Sequence, residues 1–574
     1  MTALYPCCSS FLSSGQDVIL EYYFPLENPL TSFDPQCGAP GWWQPAPEQE
    51  SSQEQGIAES LRRLREPLFV VGRNGSAVAV SGGYGHLGGK VAPFDALPLL
   101  GYAPPCLPQQ LGDPGFCAEL GLHYPYLGGS MAKGISSVTM AEELGKAGML
   151  GFFGAAGLPL AIVEAAIDRL VSSGVTYGVN LIHSPHEPDL EAVLADLYIR
   201  KGVRLVEASA FLALTLPLVR YRVHGIHRSA DGAIVAPNRI IAKVSREELA
   251  ERFFSPPPDK YLKVLVADGS ITAGQAELAA RIPMAQAITA EADSGGHTDN
   301  RPAIALFPTI LSLAGRMQSA HGYDVRLRVG LAGGIGTPAS AAAAFAMGAA
   351  YLMVGSVHQA CVESGTSNAV REMLAVTRQA DVAMAPAADM FEMGVTVQVL
   401  KRGTMFPMRA AKLYELYRNC SGLDDLPPAE RDKLEKSMFH APLEQIWQET
   451  RNYFLRRDPR QVERGDRDPR HRMALVFRWY LGQGAHWAKA GEPSRRMDYQ
   501  VWCGPAMGAF NEWAAGSFLE DPTRRTVTTV AYNLLYSAAV LARAASLRHH
   551  GVTLPTEVLR AEPLPIEQIK EYFG

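Results

Sequence analysis

Between residues 125 and 355 short apolar runs alternate with amphipathic stretches. Eight runs read as strands: 125–130, 149–154, 176–182, 203–208, 239–244, 285–291, 326–331 and 350–355. The stretches 160–172, 189–200, 301–317 and 338–347 between them carry helical periodicity. Eight β–α units over roughly 240 residues match a (β/α)8 TIM barrel. A doubly wound open sheet is the alternative that periodicity alone leaves. The segment 255–284, with Pro256-Pro257-Pro258 and a helical stretch at 272–281, is expected as an insertion on a long loop between strands five and six.

The flanks read differently. Residues 1–124 are irregular and rich in Pro and Gly, and 45–56 reads as a flexible surface loop. The runs 68–72 and 76–81 flank Asn74-Gly75, a strong hairpin signal. This is expected to be a small β-containing N-terminal appendage. The barrel is expected over 125–400 and a helical module over 401–574, with helices at 408–419, 428–456, 473–489 and 526–549.

A chain of 574 residues suits two or three domains. A net charge of −5 without a basic stripe argues against nucleic acid or an anionic membrane surface as partner. The segment Arg456–Arg472 interleaves its arginines with Asp458, Glu463, Asp466 and Asp468, the pattern of a solvated mixed-charge face. The eight cysteines form no CxxC pair and no zinc spacing, so a reduced, cytoplasmic protein without a metal site is expected. No secretory leader pattern opens the chain. The apolar stretch 531–545, interrupted by Asn533 and Arg543, reads as a buried helix rather than a membrane span.

Candidate chemistry gathers at strand ends. Gly83-Tyr84-Gly85-His86-Leu87-Gly88 matches GxGxxG, but Val91-Ala92-Pro93 follows where a dinucleotide site needs a helix, so a mobile glycine loop is expected. Gly330-Leu331-Ala332-Gly333-Gly334-Ile335-Gly336-Thr337-Pro338 follows a strand and opens a helix, and Val354-Gly355-Ser356 ends the next strand. Such turns either cradle a phosphate, as loops seven and eight of barrels often do, or are plain tight turns. The small residues Gly128-Gly129-Ser130-Met131-Ala132 at the end of strand one would let a flat ring lie against backbone. Asn180 in strand three needs partners from a ligand or from the protein. Glu207 and Lys243 point to the predicted mouth, as ligand-facing charges or as halves of ion pairs. Strand six ends in the densest polar cluster, Glu291-Ala292-Asp293-Ser294-Gly295-Gly296-His297, where an imidazole can act near neutral pH. Asp293-Ser294 is not a phosphopantetheine attachment site, because two glycines follow it instead of a helix.

Gly129–Ala132, Asn180, Gly295-Gly296-His297, Ala332-Gly333-Gly334 and Gly355-Ser356 resemble the 2-nitropropane dioxygenase-like flavoproteins, which include nitronate monooxygenases and FMN-dependent enoyl reductases. The blocks Lys401–Phe406, Ala410–Arg418, Phe477–Leu481 and Trp502–Phe510 are similar to the PfaD family, the trans-acting enoyl reductases of polyunsaturated fatty acid and trans-acyltransferase polyketide synthases. The resemblance spans roughly residues 65–555. It implies bound FMN, with Gly333, Gly334, Gly355 and Ser356 at its phosphate. Gly129, Ser130, Met131, Ala132, Asn180, Lys243, Gly295, Gly296 and Ala332 then complete the cofactor-binding set. It further implies NADPH as co-substrate, an enoyl thioester on a separate acyl carrier protein, and His297 as the catalytic residue, with the helical module as lid and docking face. A homodimer is left open. One departure is from the usual Glu-Ala-Gly-Gly-His of the 2-nitropropane dioxygenase-like superfamily, which here carries Asp293-Ser294 as two extra residues and leaves the role of Glu291 open. The rival expectations are a nitronate monooxygenase-like oxidase and a silent scaffold.

Overall fold

Each of the eight apolar runs forms a strand, and the strands close on themselves. In the computed structural model, which describes residues 41–46, 56–88, 94–183 and 188–573, the strands are Tyr126–Gly128, Leu150–Phe153, Tyr177–Ile182, Leu205–Ser209, Arg239–Val244, Ala287–Glu291, Arg328–Ala332 and Leu352–Val354. All neighbours are parallel and the eighth strand pairs with the first, so the sheet is a closed barrel, not an open one. The first 40 residues and most of the loop expected at 45–56 lie outside the described residues.

The barrel interior is filled by pairing large rings with glycines. Tyr351 lies over Gly330 of the neighbouring strand, where a Cβ would stand 2.2 Å from the ring, and Phe152 lies over Gly178 in the same way. The Tyr351 hydroxyl bonds Thr289 (2.9 Å), and Phe116 of the helix Pro114–Leu120 stacks on the Tyr351 ring at 4.4 Å. Gly330-Leu331-Ala332 therefore belong to the strand, and the glycine-rich turn begins at Gly333.

The insertion at 255–284 is not a long loop. The triple proline ends the helix Glu247–Phe254, and two further helices follow, Asp259–Ala267 and Ala273–Ala279, the second closed by a Thr272/Gln275 capping box. Beyond the eighth strand, a hairpin of Val382–Pro386 and Thr396–Leu400 pairs with the two-residue strand Gly296–His297. The helices that follow are Phe406–Asn419, Pro428–Leu434, Leu443–Arg457, Pro459–Arg467, Pro469–Ala490 and Ala506–Ala514. The single helix expected at 428–456 is broken by a π-turn at Glu435–Phe439 and by His440 at φ +57°. Phe391, Phe406, Phe439, Trp447, Phe477 and Tyr480 build this region's own core.

The chain divides into two compact units, 112–531 and a second made of 1–111 with 532–574. The second holds a five-stranded antiparallel sheet. Its hairpin joins Leu68–Arg73 to Ser76–Ser81 through Asn74-Gly75, both at positive φ, as a two-residue turn of this kind needs. Tyr84–Leu87, expected as a mobile loop, is instead a strand paired to Gly41–Gln44. Arg543 is buried and donates to the carbonyls of Leu61, Arg63 and Glu66, and Asn533 exchanges two hydrogen bonds with Leu564. The helix Val527–His549 is long and apolar enough to cross a membrane, and 72% of its most apolar window is buried inside the protein.

The ring-over-glycine packing makes a prediction. Gly330→Ala drives a methyl into the Tyr351 ring and should lower stability by about 1–3 kcal/mol in urea denaturation. An unchanged midpoint would mean that Tyr351 can move away without cost.

Candidate active site

The C-terminal ends of the barrel strands enclose a cavity of about 340 Å3, within the range of small-molecule sites. All fourteen residues singled out as catalytic or cofactor-binding in the sequence line it. Strand one contributes Gly129, Ser130, Met131 and Ala132, and strands three and five contribute Asn180 and Lys243. The strand-six end brings Gly295, Gly296 and His297, strand seven Ala332, Gly333 and Gly334, and strand eight Gly355 and Ser356.

Glu207 organises the floor. It is fully buried in the middle of strand four. The Ser130 backbone N–H donates to it at 3.0 Å, and the hydroxyls of Ser130 and Ser209 also donate. Lys243 Nζ stands 3.3 Å from Glu207 and 3.3 Å from Glu291, so it is an ion-pair partner as well as a wall of the cavity. Burial alone would lower the Lys243 pKa, but the charges of Glu291 and Glu207 outweigh it and hold the ammonium protonated. The Asn180 amide donates to Ser209 Oγ (3.1 Å) and to the Glu207 carbonyl (3.4 Å), a structural role beside its place on the cavity wall.

The glycines at strands seven and eight divide by role. A Cβ on Gly333, at φ +83°, would press to 2.6 Å on the Ala292 carbonyl, so this position serves close backbone approach. Gly334 and Gly355 would each extend a Cβ into open space. That space, beside Ser356 and a helix that opens at Pro338, suits a phosphate. The segment after Gln500 closes this side: the Gly504 N–H donates to Ser356 Oγ (3.0 Å), and Gly295 packs directly on the Cys503–Gly504 backbone.

His297 has a partner that the sequence did not disclose. Its Nε2 lies 3.2 Å from Asp389 Oδ1, on the hairpin beyond strand eight. Burial would lower the imidazole pKa, but the Asp389 hydrogen bond and the charges of Asp389 and Glu291 raise it. Burial would raise the Asp389 pKa, and the bond to His297 brings it below the ordinary value. The two extra residues Asp293-Ser294 are gripped by Gln398, whose amide donates to Asp293 Oδ1 and the Ser294 carbonyl, both at 2.8 Å. Alternation at Thr396-Val397-Gln398-Val399 was the available signal for this hairpin.

Loss of the floor carboxylate should be costly. Glu207→Ala strips Ser130 and Ser209 of their acceptor and halves the compensation of Lys243. It should cost about 3–5 kcal/mol in chemical denaturation, as breaking buried ion pairs does. A cost below 1 kcal/mol would show that Glu207 does not organise the strand ends.

Residues 420–499 match the family model of the inserted helical domain of acyl-carrier-protein S-malonyltransferase. The chain is 48% identical over 463 residues to a polyunsaturated fatty acid synthase protein of Thraustochytrium sp., covering 79% of this chain and 31% of that protein. It is 43% identical over 436 residues to the polyketide biosynthesis protein PksE of Bacillus subtilis, covering 75% of this chain and 56% of that protein. The chain thus spans less than two thirds of either relative. The crystal structure of the enoyl reductase domain of MlnA, from the macrolactin biosynthesis cluster of Bacillus amyloliquefaciens, matches with a TM-score of 0.72 at 40% identity, covering 78% of this chain and 100% of that domain.

Proposed function

The chain belongs to the PfaD family of trans-acting enoyl reductases, and from that premise we propose that it is a cytoplasmic, FMN-dependent reductase of enoyl thioesters presented by an acyl carrier protein, driven by NADPH. The observation that carries the reading is the meeting of a small-residue phosphate turn and a carboxylate-paired imidazole across one cavity. When bound, FMN would supply the two-electron chemistry that links a reduced nicotinamide to the β-carbon of the thioester.

The chain's own residues do the rest. Gly334, Gly355 and Ser356 hold the phosphate, with Gly333 giving the turn its shape. Gly129–Ala132, Asn180, Lys243, Gly295, Gly296 and Ala332 form the walls for the ring. His297 is the catalytic acid. With Nε2 bonded to Asp389, Nδ1 is the ring atom that gives its proton to the α-carbon. Asp389 is a positioning residue that keeps the imidazole protonated and oriented. The helices from Phe406 to Ala514 form the lid and docking module and exclude water.

An anaerobic visible spectrum is the direct test. A flavin band should bleach with NADPH and return with a crotonyl thioester. Return only with oxygen or a nitronate would instead identify an oxidase, and absence of a band after FMN addition would remove the cofactor reading.

His297→Ala should retain flavin yet lose roughly 100-fold or more in turnover, the scale of general-acid catalysis. In the parent protein the acid is the protonated imidazole, whose pKa Asp389 and Glu291 raise above the ordinary histidine value. Activity should therefore hold from low pH and fall as pH rises through that raised value. Asp389→Asn removes the charge that raises it, so the fall should move to lower pH. A pH profile unmoved by Asp389→Asn would dissociate Asp389 from the proton transfer.

A further inference from the structure

Asp389 reaches His297 from a turn, not from a strand. The hairpin is closed by the Ala387 N–H, which donates to the Val395 carbonyl at 2.9 Å, and residues 388–394 lie beyond that bond. The Asp389 side chain is 40% exposed. A half-exposed carboxylate on a turn holds an imidazole only as firmly as the turn itself is held.

Two successive residues of the turn are gripped by two successive residues of the helix Pro469–Ala490. Phe391, fully buried, packs edge-on to Phe477 with ring centroids 6.4 Å apart, and it also meets Tyr417 at 5.1 Å and Tyr414 at 5.4 Å. Glu392, next in the chain, accepts from Arg478 at 3.2 Å, and both side chains are mostly enclosed. The other charged or titratable side chain facing Glu392 is His471, 3.9 Å away. The Gln461 amide donates to Asp458, so its oxygen accepts from His471 Nε2 at 3.0 Å and leaves Nδ1 as the bare nitrogen of the neutral ring. Burial, and then the charge of Arg464, hold the His471 pKa below the ordinary histidine value. Arg478 is therefore the cation that balances Glu392.

Neither Glu392 nor Arg478 lines the cavity, and the chemistry above uses neither. Resting on the enoyl reductase reading, we propose that the Arg478–Glu392 ion pair is a positioning device for the acid, fixing the turn so that Asp389 stays on His297. Both residues act through Asp389 and touch no reacting atom. The charged groups facing His297 are Asp389, Glu291 and Lys243, and those facing Asp389 are His297 and Arg478. The two ways in which Arg478 could influence the imidazole have opposite signs. As a bare positive charge at a distance it disfavours the imidazolium, so its loss would raise the His297 pKa. Acting through the turn it favours the imidazolium, so its loss lowers that pKa as Asp389 draws away.

The experiment follows His297 in the intact protein by two readouts. One is the pH dependence of crotonyl-thioester reduction. The other is the NMR titration of the His297 ring proton, assigned by loss of that signal in His297→Ala. Arg478→Gln should lower the pKa in both readouts and cut kcat roughly 10- to 100-fold, the scale of a small misplacement at a reacting centre, with KM changed far less. Glu392→Gln keeps the shape of the side chain and loses its charge, and it should do the same, so a folding failure of one variant leaves the other. Arg478→Lys keeps a cation within reach and should restore most of the parent pH profile. In an Asp389→Asn background, Arg478→Gln should move the pKa no further, since the two residues act in series. A pKa that rises or stays put in both Gln variants would overturn the proposal. So would a shift that persists undiminished in the Asp389→Asn background. If the parent protein reduces no enoyl thioester, the enzymatic reading fails separately, and the NMR titration by itself decides whether Arg478 holds Asp389 on the imidazole.

Discussion

A carboxylate with no exposure to water must be surrounded by donors, and Glu207 meets this constraint at the centre of the barrel mouth. The donors come from strand one (Ser130), strand four (Ser209) and strand five (Lys243), while Lys243 reaches on to Glu291 of strand six. One buried charge therefore sets the relative positions of four strand ends. Two carboxylates around one ammonium also leave the floor net negative. Glu291 from this set and Asp389 from outside the barrel both favour the charged imidazole of His297.

The part of the chain beyond the eighth strand acts on the same site from above. The hairpin Val382–Pro386/Thr396–Leu400 extends the strand-six end and brings Asp389 to His297, and its Gln398 holds the two extra residues that would otherwise lengthen the loop without support. The Gln500–Ala506 segment then packs on the loops after strands six to eight through Gly295, Gly336 and Ser356. Backbone meets backbone there, and that is why glycines recur at these turns.

The eight strands and the lining of the cavity were legible because each rests on local pattern: apolar runs of strand length and small residues at their C-terminal ends. Strand ends in a closed barrel converge by topology, so naming them was enough to name the lining of the cavity. The insertion at 255–284 was misread because a triple proline suggests a loop, whereas here it ends one helix and begins another. Tyr84–Leu87 became a strand through a partner forty or more residues away, which no local glycine pattern reveals. Asp389 was missed for the same reason: its meaning comes from a hairpin folding back on strand six, a long-range pairing. The alternation at 396–399 marked a strand but not its neighbour.

His297 and Asp389 are 92 residues apart in the chain. During synthesis the barrel strands and their glycine turns leave the ribosome first, and the carboxylate follows only after the eighth strand. The side of the cavity formed by Gln500, Trp502, Gly504 and Ala506 emerges later still. The barrel mouth, the partner of its imidazole and the segment that closes over it are thus supplied by three successive stretches of the chain.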